Sequence, residues 1–198
     1  MRLKALGLVL FFLFLGAVSA DVSTDSGALT SIDVFVADPA DIWTGVYGQV
    51  SGSQAVGSTN PLYEWDSGEA RYIYFSQNQI DFQTDWEAGN ISMMEENYPF
   101  IVNSTADANK TFNSSMQVDS IYHSQVLDVP AVYTKNSSGS SVWGTGYISD
   151  GSNGFFAGEV REGAGFDGSD INYQVMLPEN GNDGSPSSYQ VWVELAED

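Results

Sequence analysis

There is no cysteine in the 198 residues. That one absence excludes disulfide staples, zinc fingers, iron–sulfur centres and thiol catalysis. Histidine occurs once, as His123, so multi-histidine metal sites and most histidine relays lack their parts. Within Tyr122-His123-Ser124 it reads as a partly exposed strand residue. Positive charge is equally scarce: Lys and Arg number 6 against 26 Asp and Glu, a formal net charge of −20. Such a surface repels nucleic acid and anionic lipid, so neither nucleic acid nor direct anionic membrane binding is expected. It attracts cations, stays in solution by self-repulsion, and suits high salt, where screening relieves that repulsion. Catalytic signatures are missing as well: there is no Gly-x-Ser-x-Gly elbow, Walker loop or dinucleotide fingerprint. A glycosidase needs two carboxylates across a cleft, but with 26 acids some pair always looks suitable, so that pattern selects nothing. The expectation is a protein that is not an enzyme.

What is present begins with Met1-Arg2-Leu3-Lys4, a short positive segment, followed by an apolar run over 5–18 and the small residues Ala17-Val18-Ser19-Ala20. Positive start, apolar middle and small-residue end make a secretory signal peptide. The run is shorter than the roughly 20 apolar residues a spanning helix needs. The segment 1–20 is therefore expected to be cleaved after Ala20, which places the mature chain outside the cell or on its surface. Arg71, Lys110, Lys135 and Arg161 then face 26 acidic residues, a net charge of about −22 for 4 against 26. Residues 21–29, small and polar, read as a flexible lead-in. Residues 30–198 are one domain long enough to bury a core. Without disulfides that domain must be held by its core, by ions or by assembly.

Period-two alternation dominates the domain. Ile171, Tyr173, Val175 and Leu177 share one face of a strand, and Tyr189, Val191, Val193 and Leu195 share one face of another. The stretch 178–188 between them carries Pro, Gly and Asn and must be a loop, so these strands either pair as a long-looped hairpin or lie in opposite sheets. Further strands are expected over 31–37, 42–50, 62–65, 70–75, 125–134, 141–148 and 155–160. Asp66-Ser67-Gly68-Glu69 predicts a tight hairpin between two of them, and Asp150-Gly151, Asp167-Gly168 and Asp183-Gly184 are turn dipeptides. Only 84–97 resembles a helix, interrupted by Gly89 and Asn90. The expected fold is all-β: a single antiparallel β-sandwich, Ig-like or jelly-roll-like, of about 8–10 strands with at most one short helix.

Aromatics are abundant, with 5 Trp, 10 Tyr and 11 Phe. Trp43, Trp65 and Trp143 read as core packing, although a sugar-stacking platform uses the same residues exposed. Trp192 lies opposite the Tyr189–Leu195 core face, beside Gln190 and Glu194, and is therefore the interface candidate. Five Asn-x-Ser/Thr sequons begin at Asn90, Asn103, Asn109, Asn113 and Asn136, and in a secreted chain each is a possible N-glycan acceptor. No organic cofactor is expected. Calcium is possible: it takes oxygen ligands in turns, and Asp150, Asn153, Asp167 and Asp170 supply such oxygens, although plain Asp-Gly turns explain the same residues.

Two blocks resemble an uncharacterised family of archaeal secreted or cell-surface proteins. An early Trp-x-Gly-x-x-Gly-x-Val segment falls on Trp43, Gly45, Gly48 and Val50, and a late segment before the last strand falls on Leu177, Pro178, Glu179, Asn180 and Gly181. The match covers under half the chain, and cysteines found in some members are missing here. The resemblance implies an archaeal envelope setting and no catalytic residues. Gly45 and Gly48 weaken a strand unless a ring or backbone packs closely there, or mark a bulge. The combined expectation is a structural or interaction protein of the envelope, associated with a surface layer, adhesion or a filament, with other envelope proteins or its own copies as partners. A glycan- or calcium-binding module is the alternative, and a secreted hydrolase the third.

Overall fold

The computed structural model describes residues 17–19, 22–25, 30–34, 42–55, 61–102, 106–120, 123–180 and 186–196. Most of the expected leader, Asn103 and the Asp183-Gly184 turn lie outside them. The first half contains β1 (Ala17–Ser19), β2 (Val22–Asp25), β3 (Thr30–Val34), β4 (Trp43–Gly48), β5 (Val50–Ala55), β6 (Pro61–Trp65), β7 (Ala70–Ser76) and β8 (Glu87–Ala88). Two short helices follow, α1 (Ile91–Asn97) and the single turn α2 (Ala108–Thr111). The second half contains β9 (Ser114–Ser120), β10 (Gln125–Lys135), β11 (Ser141–Ser149), β12 (Gly154–Glu159), β13 (Gly163–Ala164), β14 (Asp170–Ile171), β15 (Tyr173–Pro178) and β16 (Ser187–Leu195). The fold is all-β and sandwich-like, and its long pairings are antiparallel. The strand count exceeds the expected 8–10 because two- to four-residue pairings such as β8, β13 and β14 leave no alternation to read.

The large sheet runs β3-β16-β7-β12-β11-β10-β9, with β8 added beside β11. Its central strands carry apolar residues in adjacent pairs, which buries both faces. Ile73, Phe75, Tyr147, Phe156, Tyr189 and Val191 point to one side, while Tyr72, Tyr74, Ile148, Phe155 and Ala157 point to the other. The first side is covered by Val46 of β4, by Tyr173, Val175 and Leu177 of β15, and by Met94, Tyr98, Ile101, Ala108 and Phe112 from the helical segment. β4 lies between β1 and β15 in a separate three-stranded sheet, with Val46 opposite Val175. β15 and β16 therefore lie in opposite sheets, which decides between the two arrangements left open by the sequence. The expected helix is confined to 91–97: Asn90 interrupts the pattern because its side chain caps α1, accepting from the Met93 N–H at 2.9 Å.

The second side is enclosed by curling. β9 stands four strands from β7, which at about 4.8 Å per strand would separate them by roughly 19 Å in a flat sheet. Yet the Tyr72 hydroxyl lies 3.3 Å from the Asp119 N–H, and Arg71 is ion-paired with Asp119. The sheet rolls until its last strand approaches its middle, and side chains close the seam that no ladder closes.

Two sequence expectations need correction: His123 lies in the turn between β9 and β10 and not in a strand, and the Asp66–Glu69 hairpin does not form. The Asp66–Glu69 turn exists, with the Glu69 N–H donating to the Asp66 carbonyl at 3.1 Å. The flanking strands nonetheless do not form a hairpin: β6 pairs with β5, and β7 pairs with β12 and β16. A ring packs on a glycine that the sequence reading did not name, Gly52, where a Cβ would stand 2.4 Å from the Trp65 indole. At the other end of the chain's first segment, Ala17–Ser19 run parallel to β4, and Val22–Asp25 run parallel to β5. Ala17–Ser19, at the end of the segment expected to be the leader, are thus paired with the same strand, β4, that pairs on its other side with β15.

The two sheets meet closely at Gly158, where a Cβ would stand 2.3 Å from Val175 Cγ1. Gly158→Ala is expected to destabilise by about 1–3 kcal/mol through overpacking, measured by thermal or denaturant melting. Val175→Ala in the same chain should recover part of that loss. A strictly additive double-mutant cycle would show that the sheets do not meet there.

Candidate functional site

The groups with chemical potential gather inside the rolled sheet and along its seam. On β16, Gln190, Trp192 and Glu194 point to the inner side, as their parity with the Tyr189 face requires. Glu194 Oε2 accepts from the Tyr74 hydroxyl at 2.8 Å and from the Ser120 hydroxyl at 3.0 Å. This carboxylate joins β16, β7 and β9. Burial and the neighbouring carboxylate push the Tyr74 hydroxyl far above its ordinary pKa, so it remains a donor at any physiological pH. The ring of His123 packs on Trp86 with centroids 4.4 Å apart. Desolvation lowers the His123 pKa and outweighs the nearby Asp85 and Glu194. His123 is therefore half-buried and neutral, set against an indole.

Trp192 is half-buried against Phe82, with ring centroids 6.0 Å apart. Its cover is the chain's own 77–88 segment, which lays Ile80, Phe82 and Trp86 over the inner side. Trp143 is buried, its indole N–H donating to the Ala164 carbonyl at 3.0 Å, with the Arg161 guanidinium 4.8 Å above the ring. Trp43 and Trp65 are half-buried against the same core that β4 covers. Trp86, which the sequence reading did not single out, is 2 % exposed and fills the mouth of the roll. It shares parity with Ile80 and Phe82, with Asp81, Gln83 and Asp85 at the alternate positions.

The four calcium candidates separate into two turns with different roles. Asp150 is 4 % exposed. Its Oδ1 accepts from the Ser152 N–H at 2.9 Å and the Asn153 N–H at 2.6 Å. Its Oδ2 accepts from the Asp81 N–H at 2.8 Å and the Asn153 side-chain amide at 3.3 Å. Burial works to raise its pKa, but these donors outweigh burial and hold it below the usual carboxylate value. The carboxylate thus fastens the 77–88 segment to the β11–β12 turn. Asp167 Oδ1 accepts from the Ser169 N–H and hydroxyl at 3.0 and 2.6 Å, and its Oδ2 accepts from the Tyr47 hydroxyl at 3.1 Å. Asp170 is exposed in β14. Among the described residues no group of three or more His, Asp or Glu side chains is placed to hold a metal ion.

The sequons differ in their hydrogen bonding. Asn90 and Asn109 are exposed, with Asn90 capping α1 through Oδ1 and Asn109 lying in α2. Asn113 is exposed and its Nδ2 donates to the Lys110 carbonyl at 3.0 Å. Asn136 is half-buried, its Oδ1 accepting from the Ser138 N–H, the Ser138 hydroxyl and the Ser140 N–H at 3.1, 2.7 and 3.0 Å. Asn113 also lines an open groove with Thr111, Ser114, Val132, Tyr133 and Ser141. The groove exists because β10 continues to Lys135 while β9 reaches only as far as Ala131, opposite Ser114. No sequence pattern announces it, since strand overhang depends on register.

Replacing Asp150 with Asn puts an amide NH₂ among N–H donors. Asp150→Asn is expected to destabilise by about 1–3 kcal/mol at neutral pH. Because the folded pKa of Asp150 lies below its unfolded value, its contribution is complete above the ordinary carboxylate pKa, about 3.9. It is lost as pH falls through the folded pKa. The stability gap between wild type and variant, followed by melting across pH, should therefore be flat at neutral pH and close in acid. EDTA should leave the wild-type melting point unchanged, whereas a drop absent from the variant would show that Asp150 holds a cation.

No protein-family model, curated protein or solved structure matches this chain.

Proposed function

We propose that this chain is a non-enzymatic extracellular protein of the cell envelope with a structural or interaction role. The observation that carries this reading is how its reactive side chains are used. Asp150 is saturated by four N–H donors, Glu194 takes two hydroxyls at the seam, and His123 lies neutral against Trp86. General acid–base chemistry needs a carboxylate or imidazole poised near the working pH and aimed at a substrate. These groups are instead aimed at the fold. The leader pattern and the net charge of −20 support an exported chain in a salt-rich setting. The archaeal envelope setting implied by the Trp43–Val50 and Leu177–Gly181 blocks accords with both. The partners that fit are other envelope components or further copies of the chain, with calcium as an optional ligand. A glycan-binding role is the second reading, favoured by the groove at Tyr133.

N-terminal sequencing of the protein recovered from an exporting host is expected to begin at Asp21 in the envelope or medium fraction. Light scattering and melting across salt are expected to show a melting point that rises with ionic strength as self-repulsion is screened. An intact Met1 chain confined to the cytosol would overturn the reading.

A further inference from the structure

The groove beside β10 has the chemistry of a saccharide seat. Tyr133 lies opposite Gly144 in the β10–β11 register. Its ring packs against that glycine so closely that a Cβ there would stand 3.2 Å from Tyr133 Cε1. The Tyr133 hydroxyl donates to the Ser115 carbonyl at 3.4 Å. The ring is thus steadied by the sheet, yet the residue is 40 % exposed. Thr111, Ser114, Ser141 and Val132 line the same groove; the Thr111 hydroxyl donates to the Ala106 carbonyl at 3.1 Å and the Ser114 hydroxyl to Asn113 Oδ1 at 3.3 Å. An exposed aromatic ring beside hydroxyl-bearing side chains suits a sugar, whose C–H face stacks on the ring while its hydroxyls find polar partners.

The rim of the same groove carries the sequon Asn113-Ser114-Ser115. We propose that Asn113 is an N-glycan acceptor and that the first sugars of its own glycan occupy the Tyr133 groove. This rests on the reading of the chain as exported. The transferase and a lipid-phosphate-activated oligosaccharide supply the chemistry. Asn113 Nδ2 bonds to the anomeric carbon, the bond from that carbon to the phosphate oxygen breaks, and the lipid phosphate leaves with the electron pair while one Nδ2 proton is lost to a base. The product is a secondary amide, which keeps one N–H. That hydrogen can still donate to the Lys110 carbonyl as Asn113 Nδ2 does now, at 3.0 Å. The linkage therefore starts from a fixed amide at the edge of the groove. Tethering holds the sugar at an effective concentration of order mM, so weak stacking on one ring suffices to seat it. A free peptide or a soluble sugar would lack that advantage.

The test is glycopeptide mass spectrometry of the full chain from an exporting, glycosylating host, joined to melting before and after enzymatic glycan release. Asn113 should be occupied, and release should lower the wild-type melting point by about 2–4 °C, the scale of a weak contact in a domain of this size. Asn113→Gln should show a smaller drop on release. So should Tyr133→Ser, while Tyr133→Phe, which keeps the ring and loses only the hydroxyl, should behave as wild type and guards against a folding defect. A bare Asn113 beside occupied sequons overturns the proposal, as does an equal drop in wild type, Asn113→Gln and Tyr133→Ser. All five sequons bare on a chain that begins at Asp21 also overturns it while leaving export standing. All five bare on a cytosolic chain that keeps Met1 overturns both.

Discussion

A sheet that is apolar on both faces must be covered twice, and every other feature of this molecule answers that demand. Ile73-Tyr74, Tyr147-Ile148 and Phe155-Phe156 put large side chains on opposite sides of three neighbouring strands. Each such side chain stabilises the folded state by about 1.5–3 kcal/mol only if its face is sealed from water. One face is sealed in the ordinary way, by the β4–β15 sheet and the helical segment. Over the other, no second sheet lies among the described residues. That face is sealed by rolling the large sheet toward itself and laying 77–88 across the opening.

That second solution explains where the polar groups went. A rolled sheet whose edges do not share a ladder leaves backbone and side-chain donors at the seam, and buried donors without acceptors cost about 1–3 kcal/mol each. Tyr72 meets the Asp119 N–H there, and Glu194 meets Tyr74 and Ser120. Asp150 does the same for the covering segment, taking the Asp81 N–H from one side and the Asn153 and Ser152 N–H groups from the other. With no cysteine available, acceptor carboxylates take over the cross-linking that disulfides perform in many secreted domains. For Asp150, four N–H donors accompany the burial of the carboxylate.

Parity and turn chemistry made a good part of this legible in the sequence. The faces of 171–177 and 189–195, the strands over 125–160 and the odd position of Trp192 all follow from alternation, and alternation is a local property. Three things were not legible, each for a non-local reason. The Asp66–Glu69 turn has hairpin chemistry, but the strands it joins part because β7 finds two better neighbours in β12 and β16. The rolled sheet was foreshadowed by the doublets Ile73-Tyr74 and Phe155-Phe156. A strand buried on both faces reads as a continuous apolar run, and a two-sheet sandwich reading leaves one member of each doublet without a place. The Tyr133 groove depends on β10 outrunning β9, which is a matter of register, and register is set by partners far along the chain. Among the candidate site residues, residue type alone put Asp150 and Asp167 on equal terms, whereas their environments differ: one is buried among four donors, the other is an exposed turn acid held by Ser169 and Tyr47.

The charge pattern follows from the same economy of cations. Three of the four basic residues after Lys4 sit at junctions. Arg71 reaches across the seam to Asp119, Lys110 pairs with Asp107 beside α2, and Arg161 covers Trp143 while donating to the Val142 carbonyl. Ion pairs as exposed as the first two contribute about 0–1 kcal/mol, so they cannot offset the mutual repulsion of the surrounding acids. What offsets it lies outside the chain: screening by salt. A surface of this sign discourages close packing against anionic neighbours. Specific contact is then left to uncharged features standing above the acidic background, and the Tyr133 groove beside Asn113 is one of these.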